Sequence, residues 1–228
     1  MGDFNEEIGL DFVHVRDVNG VGHWFLSVVD LWTTYHVVGY APSHKPEVVA
    51  EVFNDLWVST FGPPKILRID KDGGFRSTFM EMVERYECFV TACAAQAHWQ
   101  HGRVERQGGW LKELSRRTIE STSASGVQEL KLAMACCCGA KNSLRRRAGF
   151  SPNQWVFGVE PRLDGDLCDG ENLTIMHNSP TEAVTRRYRI RTAARCAFIE
   201  MQTCDVIRRA ALSRSRIHKG PWESGSYI

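Results

Sequence analysis

Two apolar runs, Ile8–Val15 and Trp24–Asp30, are joined by Asp17-Val18-Asn19-Gly20 and its flanks. An Asn-Gly pair accepts the left-handed backbone of a tight hairpin, so the runs are predicted to be antiparallel strands. Tyr35–Tyr40 follows as a third strand of the same meander.

The rhythm then alternates. Pro46 stands where a helix can begin, and Val48, Val49, Val52, Phe53, Leu56 and Trp57 recur at helical spacing until Gly62-Pro63-Pro64 stops them. Lys65–Ile69 is a fourth strand. Phe79, Met82, Val83 and Tyr86 mark a second amphipathic helix, and Cys88–Ala92 a short fifth strand. Ala94–Gly102, small and polar, is predicted to be a loop. Helices follow from near Gly102–Arg103 to Ser121 and over Val127–Asn142. Three strands, helix, strand, helix, strand, helices is an α/β order with a mixed sheet.

After Asn142 the chain becomes turn-rich, and Pro180–Arg216 is predicted to be one long basic helix. The expected division is a core over 1–145, a linker over 146–179, a basic helix over 180–219, and over 220–228 the first strand of a further module. That ending is expected of a piece of a longer polyprotein.

The 228 residues suffice for one well-cored domain plus an appendage, and 43% hydrophobic with 24% charged residues is ordinary for a soluble protein. A membrane span needs about 18 consecutive apolar residues, which the chain lacks. The acidic start MGDFNEEIGLDF does not read as a signal peptide, so an intracellular setting is expected. The eight cysteines, three of them consecutive at Cys136–Cys138, form no CxxC pair and are read as reduced and mostly buried. A zinc site drawn from His98, His101 and that run would match no standard spacing. The net charge of +1 conceals ten Lys/Arg against three Asp/Glu between Thr181 and Lys219. Such a tail suits either a polyanion or a solvated helix face.

Three carboxylates stand out by position: Asp11 within the first strand, Asp70 at the end of the fourth, and Glu105 in the first turn of the long helix. The first and fourth strands can be central neighbours in a mixed sheet, with the helix carrying its Glu across to them. Clustered carboxylates repel unless cations neutralise them, and hard oxygen donors suit Mg²⁺ or Mn²⁺. Two such ions about 4 Å apart can promote phosphoryl transfer without a covalent nucleophile. Each acid alone also has a structural reading as a turn, cap or first-turn residue. Asp30, ending the second strand, is read as structural.

These residues resemble the catalytic core of retroviral and retrotransposon integrases, DDE transferases of the ribonuclease-H-like fold. Gly9-Leu10-Asp11-Phe12 resembles the first acidic strand, and Val28-Val29-Asp30 with Thr34-Tyr35 the next two strands. Phe61-Gly62-Pro63-Pro64 with Ile69-Asp70 resembles the second acidic motif, and His98 to Arg106 the third. Gly149-Phe150-Ser151-Pro152 with Val156-Phe157-Gly158 extends the likeness. The family has a Phe five residues after its second Asp, and Phe75 stands so to Asp70. Asp72 then occupies the place of a usual Gly, and Gly74 that of a usual Glu. Between Asp70 and Glu105 lie 34 residues, one fewer than the common family spacing.

The resemblance implies a five-stranded sheet flanked by helices, with a basic helical extension. It implies two Mg²⁺ or Mn²⁺ ions held by Asp11, Asp70 and Glu105, and DNA 3′-end processing followed by strand transfer. Arg103, Arg106 and Lys112 would touch phosphates, as would Arg186, Arg187, Arg208 and Arg209 on the basic helix. Element ends and target DNA would be the partners, a dimer at least the assembly, the nucleus the expected place, and no membrane would be involved. Two other readings are a catalytically dead relic that binds DNA and a ribonuclease-H-type nuclease.

Overall fold

The computed structural model describes residues 2–70, 72–92, 98–161 and 182–212, without the side chains of residues 92, 98–101 and 103. Strands β1 (Glu7–Arg16), β2 (Gly22–Asp30) and β3 (His36–Tyr40) form the meander. The β1–β2 turn is held by Asp17, whose Oδ1 accepts from the Asn19 and Val21 amides and whose Oδ2 accepts from Gly126 N. Gly20 takes φ 80°, the left-handed conformation the Asn-Gly pair foretells.

Helix α1 (Pro46–Phe53) runs through a π-helical turn (Asn54–Val58) into Ser59–Phe61, and Gly62 ends it at φ 77°. Strand β4 (Ile66–Ile69), a 3₁₀ turn (Gly73–Phe75), helix α2 (Thr78–Arg85) and strand β5 (Phe89–Ala92) follow. Three helices come next: α3 (His98–Thr122), α4 (Gly126–Leu144) and the short α5 (Pro152–Phe157). The last described helix is α6 (Glu182–Leu212).

The sheet order is β3-β2-β1-β4-β5, with β1 central. It is mixed, as expected: β1 runs antiparallel to β2 and parallel to β4, and β4 parallel to β5. Side chains alternate between its faces. Ile8, Leu10, Phe12, Leu26, Val28, Leu67 and Ile69 point to the face covered by α1 and α2, where Phe53, Trp57 and Phe79 are fully buried. Val13, Val15 and Phe25 point to the other face and share a cluster with α3, α4 and α6.

Helix α6 is therefore more than a charged extension. Ile190, Ala194, Ala197, Phe198 and Met201 recur on one stripe and are buried against α3 and α4. The predicted loop over Ala94–Gly102 is corrected in its described part, since α3 already begins at His98. Once Val104 is anchored on the sheet, each further residue adds a hydrogen bond at little cost, and nothing between His98 and Gly102 is a proline. Residues 93–97, the linker over 162–179, the helix end past 212 and the further module over 220–228 lie outside the described residues. No described helix is long and apolar enough to cross a membrane.

Cysteine burial is more divided than expected. Cys137 and Cys138 are buried, Cys88 and Cys136 half-buried, and Cys196 and Cys204 exposed on α6.

Candidate active site

The β1–β4 ladder pairs Ile8 with Leu67 and Gly9 with Arg68. Two residues further in the same parallel register, Asp11 of β1 stands beside Asp70 at the end of β4. Adjacent strands lie about 4.8 Å apart. Both residues fall on the α3 face, because Gly9, Asp11 and Val13 alternate with the inward Leu10 and Phe12 of the opposite face. Asp11 is half-buried and Asp70 exposed.

Helix α3 runs along this face. A Cβ at Gly9 would meet Val104 at 2.5 Å, and a Cβ at Gly108 would lie 3.0 Å from Asp11 Oδ2. Leu111 is buried in the cluster that holds Val13. Val104, Gly108 and Leu111 thus track Gly9, Asp11 and Val13, since four helical residues rise about as far as two strand residues. Gly108 is the point of closest approach, and its missing side chain lets the helix lie over the Asp11 carboxylate.

Glu105 is exposed on α3, three residues before Gly108, so both lie on neighbouring turns of one stripe. Lys112, also exposed, continues that stripe. The donor chemistry fits a hard divalent cation: two carboxylates on adjacent strand positions, with a third within one helical turn of the contact. Among the described residues, no three His, Cys, Asp or Glu side chains are drawn close enough to hold one ion together. Completing such a set would require the three carboxylates to draw closer together.

Asp72 does a different job. Its Oδ1 accepts from Gly74 N at 2.9 Å and caps the 3₁₀ turn, and it lies 3.6 Å from His44 Nδ1. With φ −69° and ψ 148°, position 72 has an ordinary extended backbone that needs no glycine. Gly74 is closely covered: a Cβ there would come within 3.1 Å of the His44 carbonyl and 3.0 Å of the Phe12 ring. The space of a larger side chain is filled by the His44 segment, whose ring stacks on Phe12 at 4.1 Å. Phe75 also stacks on Phe12, with ring centroids 5.1 Å apart.

Asp30 is structural, as read. It is fully buried and accepts from Thr33 N and Oγ1, Trp32 N and Asn5 N.

The basic residues are dispersed. Arg106 and Lys112 are exposed on α3, and Arg103 belongs to the same helix with its side chain outside the described residues. Arg186 is tied internally: it donates to both Glu129 carboxylate oxygens at 2.8 Å and to the Thr122 carbonyl at 2.7 Å. Those bonds hold the Glu129 carboxyl down at about 2. Arg187 is exposed, and Arg208 and Arg209 reach Asp205 at 3.9 and 3.6 Å while staying largely exposed.

Sequence reasoning passed over a buried polar group on the Asp11 face. Ser27, the β2 partner of Asp11, lies 2.8 Å from His36 Nε2, and His36 Nδ1 lies 2.9 Å from Lys141 Nζ. Asn142 brackets the His36 backbone, accepting from its amide and donating to its carbonyl. Burial lowers the Lys141 ammonium to about 7, and burial, then the neighbouring Lys141 and Arg145 charges, push His36 well below its usual range. The separation of His36 from Lys141 in the chain hides this pairing; the signal that could have found it is a lysine inside the apolar face of a predicted helix.

No family model and no curated protein matches this sequence. Solved structures do match. A simian T-cell lymphotropic virus intasome in complex with the PP2A regulatory subunit B56 gamma contains a chain that aligns at 15% identity and TM-score 0.59 over 71% of this chain. This chain spans 56% of that chain's length. The HTLV-2 integrase catalytic core domain in complex with magnesium aligns in its dimeric form at 18% identity and TM-score 0.55, over 67% of this chain and 96% of that one. Its trimeric form aligns at 18% identity and TM-score 0.54, over 66% and 95%. At these identities the likeness is one of architecture: the chain has the fold of retroviral integrase catalytic cores, the resemblance its motifs carry.

Proposed function

We propose that a chain with this integrase-core fold works as the catalytic core of a retroelement integrase, trimming DNA 3′ ends and joining them to target DNA. The observation that carries the reading is the placement of Asp11 and Asp70 on adjacent parallel strands, beneath the helix that bears Glu105. Asp11 and Asp70 would hold divalent metal, with Glu105 closing on it from α3. Bound metal would neutralise the carboxylates and assist the attacking and leaving oxygens of an in-line displacement. Water serves as nucleophile in the first step and the new 3′-hydroxyl in the second.

Lys112, on the Glu105 stripe, would set a DNA phosphate beside the carboxylates, with Arg106 and Arg103 nearby on α3. Arg187, Arg208 and Arg209 would add sequence-independent contacts from α6, weakening as salt rises. Arg186, already bonded to Glu129, contributes less than its charge suggests. The magnesium-bound HTLV-2 cores, solved in dimeric and trimeric forms, support a metal requirement and self-association here.

The test is reversal of strand transfer on a branched oligonucleotide, with Mg²⁺ or Mn²⁺. The parent yields resolved product only with metal, and Glu105→Gln abolishes it. A relic that only binds DNA would shift the oligonucleotide in a gel without metal-dependent product. That no three such side chains are gathered among the described residues is the observation that favours this second reading.

A further inference from the structure

Arg145 closes α4, where the free carbonyls of a helix end favour a cation. It is half-buried, and its guanidinium donates to Gln107 Oε1 at 3.1 Å. Among the described residues no carboxylate pairs with it. Its charged neighbours are instead cations. Burial, then the charges of Arg147, Arg209 and Arg106, push the Arg145 guanidinium below its usual range. Arginine stays protonated all the same, so the folded chain holds these like charges near one another at a cost. An anion set among them would remove that cost.

Three elements bring the group together. Gln107, the partner of Arg145, follows Arg106 on α3. Arg147 lies just past α4 and donates to the Trp32 carbonyl beyond the end of β2. Between them Arg146 pairs with Glu160 at 3.7 Å. Helix α6 runs antiparallel to α3, since Arg186 donates to the Thr122 carbonyl while Phe198 meets Trp110. The same run carries Arg209 toward the first turns of α3. Asp205 offsets part of the charge there, shared between Arg209 at 3.6 Å and Arg208 at 3.9 Å. Successive helical residues turn by about 100°, so Gln107 and Glu105 point about 200° apart around α3, with Arg106 between them. The arginines therefore gather across α3 from the flank that bears Glu105 and Lys112.

We propose that Arg145, Arg106, Arg147 and Arg209 form a second phosphodiester site, which grips DNA across α3 from the proposed catalytic carboxylates. The choice of DNA as the polyanion rests on the proposed function; the cation cluster does not. Guanidinium groups meet phosphate oxygens two at a time, which suits arginine better than lysine for such a grip. Contacts of this kind fix the register of the duplex and carry no sequence preference.

The experiment measures binding of a fluorescein-labelled DNA duplex to the full chain by anisotropy, in EDTA and over a range of salt. The parent, Arg145→Gln, Arg209→Gln and Arg116→Gln are compared, with thermal melting as the check on folding. Arg116, exposed on α3 and paired with Glu113 and Glu120, is the control for lost charge alone. Arg145→Gln and Arg209→Gln are each expected to weaken binding severalfold and to lower the salt slope by about one, whereas Arg116→Gln leaves both unchanged. A merely structural Arg145 would lower melting and leave the slope as it was. Folded Arg145→Gln with the parent's affinity and salt slope overturns the proposal. Should Arg145→Gln fail to fold, an unchanged slope in Arg209→Gln does so instead. If inorganic pyrophosphate raises the melting temperature of the parent and not of Arg145→Gln, while the duplex binds both alike, DNA is overturned as the occupant. The branched-oligonucleotide assay keeps the two readings apart: a parent that makes no product, yet loses DNA affinity with Arg145→Gln, loses the proposed catalysis and keeps this site.

Discussion

A methyl group at position 108 would lie 3.0 Å from Asp11 Oδ2, tighter than a Cβ normally approaches. Alanine is nonetheless the better helix former, by about 1 kcal/mol. Gly108→Ala should therefore separate stability from activity. Melting should stay level or rise slightly, while the strand-transfer reversal rate falls severalfold because the Asp11 carboxylate is displaced. Equal activity would mean that α3 does not bear on Asp11. Asp72 is the contrasting residue. Its carboxylate caps the 3₁₀ turn through Gly74 N, so Asp72→Ala should cost about 1 kcal/mol in urea denaturation. Position 72 was ambiguous in the sequence because two aspartates follow one strand; only the path of the backbone tells the strand end from the cap.

At the scale of elements, α4 carries a pH dependence in the Lys141–His36 pair. Lys141 falls from 10.5 to about 7 on folding, and His36 falls well below 6.5. In both cases the unfolded chain binds the proton more readily, so stability rises with pH. The Lys141 contribution is complete above about 10.5 and is lost as pH falls toward 7; the His36 contribution is lost below 6.5. Melting temperature should climb between pH 6 and pH 9 at constant ionic strength, and Lys141→Met should flatten the upper part of that climb. A parent whose melting temperature falls over that range would contradict the pair's geometry. Helix α6 makes a second prediction at this scale. Phe198 is fully buried against Trp110 of α3, with ring centroids 4.9 Å apart, so Phe198→Ala should cost about 3–5 kcal/mol. A loss below 1 kcal/mol would mean that α6 does not dock on the core.

The strands and most helices were legible because their signals are local: alternation around Asn19-Gly20, the Gly62-Pro63-Pro64 stop, the spacing of Phe79 and Val83. The start of α3 was not, because His98–Arg103 is held in the helix by the Val104 anchor more than by its own composition. The docking of α6 was written in Ile190, Ala194, Ala197, Phe198 and Met201, but ten basic residues over Thr181–Lys219 drew attention to charge. The carboxylate trio was found as residues, whereas its neighbours were not. Ser27, His36 and Lys141 meet only when three elements close on one face, and no local pattern announces such a meeting.

For the whole molecule, the central claim is that Asp11 and Asp70, juxtaposed by the parallel β1–β4 pair, work together and that Asp72 does not. Reversal of strand transfer in Mn²⁺, with Asp70→Asn and Asp72→Asn run beside the parent, tests it most directly. The account predicts product from the parent and from Asp72→Asn, and loss of at least about 100-fold with Asp70→Asn. Product retained by Asp70→Asn and lost with Asp72→Asn would contradict it, moving the working carboxylate off the strand end and onto the capped turn.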